Sequence, residues 1–192
     1  MAAIDRVRRV AGILDEAMHL HEVVRRGDLA PIVSTVEALE AAFASGRKVL
    51  VFGNGGSAAD AQHFAAELVG RFQRDRVALP ALALSTDTSV LTAVANDVGY
   101  ERVFARQVEA LGRAGDVAIA ISTSGRSANV AGALEAARTR GLTTVAFTGR
   151  DGGTIGPTAD IHVNVPHASA ARVQEVHRTV LHAICELVEE GV

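Results

Sequence analysis

The chain has 192 residues, a formal net charge of −3 and an aromatic content of only 4%. This length suits a single domain with its own core, whereas nucleic acid binds basic surfaces and aromatic stacking platforms that this composition does not offer. The apolar residues are too dispersed for a membrane span or a signal peptide, and the single cysteine, Cys185, excludes an internal disulfide. We therefore expect a cytoplasmic protein with no nucleic-acid or membrane partner.

Two helices are predicted before the first strand, over residues 3–26 and 31–44, with Pro31 in a first turn and Gly46 at a C-terminal stop. Apolar runs then predict strands over 48–52, 81–85, 117–122, 143–148 and 161–165. Helices are predicted over 57–71, over 88–111 with a break at 96–99, over 127–140 and over 170–190. This alternation of apolar strands and helices predicts an α/β fold with a parallel sheet covered on both faces.

The last predicted helix carries a broad apolar stripe, formed by Val173, Val176, Val180, Leu181, Ile184, Leu187 and Val188. Long helices at both ends of such a fold leave spare apolar faces. These faces would be buried either between the subunits of a homo-oligomer or against the sheet of the same chain, and the sequence does not distinguish the two.

Ligands of parallel α/β sheets bind beyond the carboxyl ends of the strands. After the first strand, Gly53, Gly55 and Ala58 match the dinucleotide pattern G-x-G-x-x-A, and Asp87 follows the second strand. The match is weak, because Asp87 lies 87 − 58 = 29 residues beyond the motif, whereas the ribose-binding acid usually lies about 20 residues on. A P-loop is excluded, since no Gly-Lys-Ser/Thr occurs.

The loop after the third strand is rich in hydroxyl groups that surround Gly125, namely those of Ser122, Thr123, Ser124 and Ser127. Hydroxyls and backbone N–H groups at the start of a helix bind phosphate. The alternative is that Ser124 or Ser127 only caps the helix that follows.

Two helices carry groups that could do chemistry. His63 and Glu67 are four residues apart and share a helix face, although such a pair is commonly a solvated surface pair. Gln174 and His182 lie two turns apart on the last helix, where His182 could equally be a core histidine. Together these four residues suit zinc or another divalent ion if the two helices meet. The last helix also carries Glu175 and His177 among these groups. His19, His21, His162 and His167 show no comparable spacing and are interpreted as surface or structural residues.

Several segments resemble the phosphoheptose isomerases, enzymes of the sugar isomerase (SIS) domain family, in order and over nearly the whole chain. They are GNGGSAADAQHFAAEL, LTAVANDVGYERVFARQVEALGRAGD, AISTSGRSANV, TGRDGG and RVQEVHRTVLH. The resemblance implies one SIS domain over residues 1–192, a three-layer α/β sandwich with a five-stranded parallel sheet of flavodoxin-like order and extra N-terminal helices. It also implies a homotetramer in which the helices of about residues 1–45 pack in the oligomer, with active sites at subunit interfaces.

The resemblance implies conversion of sedoheptulose 7-phosphate to D-glycero-D-manno-heptose 7-phosphate, the first step of ADP- or GDP-heptose biosynthesis, which serves lipopolysaccharide biosynthesis. Glu67 and His182 match the residues assigned to proton transfer through an enediol. A zinc ion would be bound by His63, Glu67, Gln174 and His182. Substrate contacts would come from Asn54, Gly55, Gly56, Ser57, Glu67, Asn96, Asp97, Ser122, Thr123, Ser124, Ser127 and Gln174.

Two positions depart from the family pattern. Ala171 stands where an aspartate often contacts substrate hydroxyls, and Arg126 stands where asparagine is common. Arg126 would either add a charge near the phosphate or face solvent. The main rival function is that of a non-catalytic SIS protein that binds the replication initiator DnaA. That relative lacks residues matching Glu67 and His182, so their presence here favours the enzyme.

Overall fold

The computed structural model describes residues 3–192. In this part of the chain, helices and strands alternate after two N-terminal helices. The elements are α1 (Ala3–Arg26), α2 (Ala30–Ala44), β1 (Val49–Gly53), α3 (Gly56–Val69), β2 (Ala81–Ala83), α4 (Thr88–Asp97), α5 (Ala105–Leu111), β3 (Val117–Ser122), α6 (Ala128–Thr139), β4 (Thr143–Gly149), β5 (Ile161–Val165) and α7 (Ala170–Glu190). Two short 3₁₀ turns, Tyr100–Arg102 and Gly156–Thr158, complete the list.

The five strands form one sheet in the order β2-β1-β3-β4-β5, and all neighbouring pairs are parallel. The predicted flavodoxin-like order is therefore confirmed. Strand order reverses between β1 and β3, and the register pairs Gly53 with Ile121. The loops that leave these two strands thus start side by side, at the switch point where α/β sheets bind ligands.

Helices cover both faces of the sheet, because side chains alternate between the faces along each strand. On β1, Val49 and Val51 face a core shared with α2, α3 and α7. Leu50 and Phe52 face a second core shared with α5 and α6. These cores make the predicted three-layer sandwich, which is confirmed.

Local signals placed most element ends correctly. Pro31 lies in the first turn of α2, and Gly46 adopts φ +67° just beyond its end. The break predicted at 96–99 is real, since α4 ends at Asp97 and Gly99 follows at φ +110°. The edge strand β2 is shorter than predicted because the chain turns directly after Ala83.

The two terminal helices treat their apolar stripes differently. The stripe of α7 is buried on the chain's own sheet apart from Leu187, which is 41% exposed. Helix α1 instead exposes a stripe of large apolar side chains to solvent: Ile4, Val7, Val10, Ile13, Leu14 and Met18. Among residues 3–192, none of the helices combines the length and apolar character that crossing a membrane requires.

Candidate functional site

Three side chains of chemical interest meet where α3 packs against α7. His63 and Glu67 stand one turn apart on α3, and His182 approaches from α7. The Nε2 atoms of His63 and His182 are 2.6 Å apart, and His63 Nε2 lies 3.4 Å from Glu67 Oε1. These three residues are called the triad below. The packing of the two helices therefore brings the His63–Glu67 pair, which could have been a surface pair, together with His182, which could have been a core histidine.

The triad sits at the boundary between core and solvent. The side chains of His63 and Glu67 are 37% and 23% exposed, and the ring of Phe72 lies 5.4 Å from that of His182. Burial lowers the pKa of His182, and the nearby His63 lowers it further, while Glu67 opposes this change. The His182 imidazole is thus held neutral at neutral pH, which is the form that accepts a proton or binds a metal.

The donor atoms of the triad suit a divalent metal ion. One ligand atom from each residue lies within 4.8 Å of the others, and two imidazole nitrogens with a carboxylate oxygen form a common zinc donor set. The side-chain amide of Gln174 lies elsewhere, against Gly56, where a Cβ atom would come within 2.8 Å of Gln174 Oε1. Gln174 therefore lines the start of α3, and its role as a fourth ligand stays a prediction.

The serine loop, residues 122–127, brings hydroxyl groups together between β3 and α6. Ser122 Oγ lies 3.1 Å from Ser127 Oγ and 3.5 Å from Ser124 Oγ, and Thr123 beside them is half-buried. Ser127 occupies the N-cap position of α6, yet its side chain makes no capping hydrogen bond. Its hydroxyl faces the other serines instead, which favours an anion site over simple capping.

A neighbouring loop holds the serine loop in shape. Gly125 adopts φ +63°, and its carbonyl accepts hydrogen bonds from the backbone N–H groups of Thr154 and Ile155 at 2.8 and 3.0 Å. Arg126 donates to Asp151 Oδ2 at 2.8 Å. The guanidinium of Arg126 thus links the serine loop to the loop that contains Asp151. This link lies at the surface, because the Arg126 side chain is about half exposed.

The loop after β1 is ordered by amide contacts. Asn54 and Asn129 exchange two side-chain hydrogen bonds of 2.9 Å, and the hydroxyl of Tyr100 donates to Asn54 Oδ1 at 3.1 Å. Ser57 is buried at the first turn of α3, and Gly55 adopts φ +55°. The loop after β1 is therefore joined directly to the start of α6, because Asn129 lies in the first turn of that helix, just after the serine loop.

Asn96 and Asp97, two further predicted substrate contacts, lie at the C-terminal end of α4. They are exposed at the end of α4, where Asn96 Nδ2 donates to Asp97 Oδ1 at 2.7 Å. Within residues 3–192, no hydrogen bond links either residue to the triad or to the serine loop. Their role as substrate contacts stays a prediction.

The structure also identifies a charged pair to which the sequence patterns assigned no role, Arg178 and Asp60. Arg178 donates through Nε and Nη2 to Oδ1 of the buried Asp60, at 3.0 and 2.6 Å. Arg178 lies four residues before His182, so the spacing already indicated that the two share a helix face.

Asp87, the candidate ribose ligand, accepts a hydrogen bond from Val90 N at 3.0 Å and caps α4.

Cavity size alone would point to another part of the molecule. A cavity of about 710 Å³ lies beside the edge strand β2 and has a mainly apolar wall that includes Leu82 and Val90. A smaller cleft of about 300 Å³ lies between α3 and α7 and is lined by Gly56, Gln174 and Arg178. The smaller cleft is the better site for a polar ligand, because convergent polar groups and position at the strand ends outweigh volume.

Comparisons with known proteins identify the family of the chain. The sequence model of the SIS domain matches residues 14–149. A phosphoheptose isomerase from Roseiflexus sp. (strain RS-1) is 57% identical over 180 residues, covering 92% of this chain and 91% of that protein. One from Bordetella avium (strain 197N) is 49% identical over 189 residues, covering 97% and 96%.

Solved structures give the same result. Phosphoheptose isomerase GmhA from Neisseria gonorrhoeae superposes with a TM-score of 0.90 at 45% identity, covering 95% of this chain and 98% of that one. A phosphoheptose isomerase from Francisella tularensis superposes with a TM-score of 0.92 at 33% identity, covering 99% and 100%. The likeness thus extends over essentially the whole of each chain, in sequence and in structure, and the chain belongs to the SIS domain family, among its phosphoheptose isomerases.

Proposed function

We propose that the chain is an aldose–ketose isomerase that converts sedoheptulose 7-phosphate to D-glycero-D-manno-heptose 7-phosphate. The observation that carries the proposal is the 2.6 Å approach of His63 to His182 beside Glu67, on a helix that starts next to the serine loop. Phosphoheptose isomerases that are about half identical to the chain over most of its length support the same reaction.

The serine loop would hold the phosphate. Ser122, Thr123, Ser124 and Ser127 offer hydroxyl donors, and the start of α6 adds free backbone N–H groups and the positive end of the helix dipole. The triad begins seven residues along α3 from Gly56, or about 10 Å at 1.5 Å per residue. This separation suits a substrate whose phosphate and carbonyl group lie at opposite ends of a sugar chain.

The triad would move the proton. In the ketose-to-aldose direction the Glu67 carboxylate removes a proton from C1, an enediol forms, and Glu67 returns the proton to C2. His182, whose imidazole is neutral at neutral pH, exchanges a proton between the two neighbouring oxygens as a general base and then a general acid. Glu67 Oε1 faces His63, which leaves the other carboxylate oxygen for the carbon-bound proton.

A zinc ion would be held by His63, Glu67 and His182, with Gln174 as the proposed fourth ligand. When bound, such an ion stabilises negative charge on substrate oxygens and orients the substrate. Gly55, Gly56 and Ser57 with Asn54 would bind substrate hydroxyls at the start of α3. The contact of the Gln174 amide with Gly56 supports the same role for Gln174.

We also propose a homotetramer whose N-terminal helices pack between subunits. The exposed stripe of α1, which includes Val7, Leu14 and Met18 at 58–69% exposure, supports this assembly. A neighbouring subunit could then supply Asn96 and Asp97 to the site, which a single chain leaves at its surface. Leu14→Glu places a charge in the apolar stripe and should dissociate the oligomer, as measured by sedimentation. Arg9→Glu changes an exposed polar residue of the same helix and should leave the oligomer intact.

The reaction is tested by proton exchange. Incubation with sedoheptulose 7-phosphate in deuterated water should exchange hydrogen at C1 in the parent enzyme, as followed by NMR. Glu67→Gln and His182→Ala should lose exchange by a factor of about 10² to 10⁴, the usual contribution of general acid–base catalysis. Glu186→Gln, an exposed neighbour on α7, is the matched control. Full turnover in both triad variants would refute the assignment.

Two other functions predict different behaviour. A non-catalytic SIS protein that binds DnaA needs no triad, so the parent would show no exchange and would bind DnaA in a pull-down. A dinucleotide-dependent oxidoreductase would bind NAD, although Asp87 is engaged in capping α4. Calorimetric titration with NAD distinguishes this case, and no heat of binding is expected.

The proposed place of action is the cytoplasm, where sugar phosphates are made. The product would enter ADP- or GDP-heptose biosynthesis, and through it lipopolysaccharide biosynthesis. Neither nucleic acid nor membrane is proposed as a partner. Deletion of the coding sequence in its host should abolish heptose in the cell's glycans, and restoration by the parent but not by Glu67→Gln would connect the pathway to the triad.

A further inference from the structure

A buried carboxylate lies two turns beyond His182 on α7. The side chain of Glu189 is 1% exposed, and the guanidinium group beside it, that of Arg76, belongs to a side chain only 4% exposed. Arg76 Nε donates to Glu189 Oε1 at 3.0 Å. Neither residue faces the cleft, so the proposed reaction does not use them directly, and a buried charge pair of this kind needs a reason.

Glu189 fixes the segment that follows α3. Its carboxylate accepts hydrogen bonds from the backbone N–H groups of Phe72, Gln73 and Arg74, at 2.7, 2.9 and 3.0 Å. Burial by itself would raise the pKa of Glu189, but these bonds and Arg76 lower it to about 2. The carboxylate is therefore ionised, and it holds Phe72 where its ring meets that of His182.

Arg76 fixes the last turn of α3. Its Nη2 atom donates to the carbonyl oxygen of Glu67 at 2.8 Å, and Nη1 donates to that of Leu68 at 2.9 Å. The last carbonyl groups of a helix have no partner within the helix and fray unless another group binds them. Arg76 supplies that partner to the very residue whose carboxylate belongs to the triad.

These contacts form one connected support for the triad. We propose that Glu189 and Arg76 are positioning residues, which hold Glu67 and Phe72 against α7 so that the Glu67 carboxylate keeps its place relative to His182. The proposal rests on the proposed function for its kinetic consequence. Its structural consequence, the geometry of a metal-binding triad, can be measured without turnover.

The variants Glu189→Gln and Arg76→Lys remove one member of the support while keeping its approximate volume. Two controls match them. Glu190→Gln changes the adjacent carboxylate, which is half-exposed and contacts Arg74 at 3.3 Å. Val188→Ala removes core packing from the same turn of α7 and leaves the charged groups of Glu189 and Arg76 unchanged, so it reports the effect of lost packing.

The measurements are the thermal unfolding temperature, kcat and KM for sedoheptulose 7-phosphate, and Zn²⁺ affinity by competition with a chelating dye. Residues that orient metal ligands typically contribute 10- to 100-fold to affinity or activity. We expect both support variants to lose about that factor in kcat and in Zn²⁺ affinity, with KM little changed. Glu190→Gln and Val188→Ala should keep both values close to those of the parent.

Values of kcat and Zn²⁺ affinity that match those of Val188→Ala in both support variants would overturn the proposal and leave a structural salt bridge. Should Glu189→Gln fail to fold, Arg76→Lys, which keeps the buried cation, decides the question. A parent with no isomerase activity would refute the proposed function instead. In that case the Zn²⁺ affinities alone would still decide whether Glu189 and Arg76 position the triad.

Discussion

The replacement of Ser127 by Ala separates phosphate binding from helix capping. Ser127 occupies the N-cap position of α6 but makes no capping bond, and its hydroxyl lies 3.1 Å from that of Ser122. The folded protein should therefore lose only one neutral hydrogen bond, worth about 0.5–1.5 kcal/mol. A bound phosphate would lose a hydrogen bond to a charged group, worth about 1.5–3 kcal/mol.

Since about 1.4 kcal/mol corresponds to a factor of ten, the KM for the sugar phosphate should rise roughly 10- to 150-fold. Steady-state kinetics measure this rise, and urea unfolding measures the change in stability. Asp28→Ala is the control, because its carboxylate accepts a hydrogen bond from Ala30 N at 2.9 Å ahead of α2. That variant should lose stability and keep its KM. An unchanged KM in Ser127→Ala would refute a role of the Ser127 hydroxyl in phosphate binding, whatever the change in stability.

Three further predictions follow from the same structure. Gly125→Ala should lower the free energy of unfolding, measured in urea, by more than about 1–2 kcal/mol, which is the cost of a left-handed backbone alone. The loss should exceed that cost because the added Cβ would also lie 2.8 Å from the nitrogen of Gly153. A smaller loss would show that the two loops can separate. The pKa of Glu189 is lowered to about 2, so its carboxylate contributes its full stabilisation above about pH 4.5 and loses it as the pH falls toward 2. The difference in free energy of unfolding between the parent and Glu189→Gln should therefore narrow over this range. A difference that stays constant with pH contradicts this prediction. Zn²⁺ at 100 times its Kd should stabilise the parent by about 2.7 kcal/mol in thermal unfolding but not His63→Ala; equal stabilisation would place the metal elsewhere.

The sequence by itself determined the fold class and the ends of most elements. Apolar runs such as that of β3 predict buried parallel strands, and Pro31 and Gly46 mark the two ends of α2 within one residue or two. These features are local: each depends on residues within one helical turn or one strand. The spacing of His63 and Glu67 on one helix face is equally local and was readable for the same reason.

Only the tertiary structure decided which helix faces meet. His182 lies 119 residues from His63 along the chain, and no spacing rule connects them until α3 and α7 pack on the same face of the sheet. The same packing places Gln174 at Gly56 and Glu189 beneath the loop after α3. It also sends the hydroxyl of Ser127 to Ser122 instead of to its own helix. Contacts of this kind depend on the position of one element against another, which periodicity within an element does not encode.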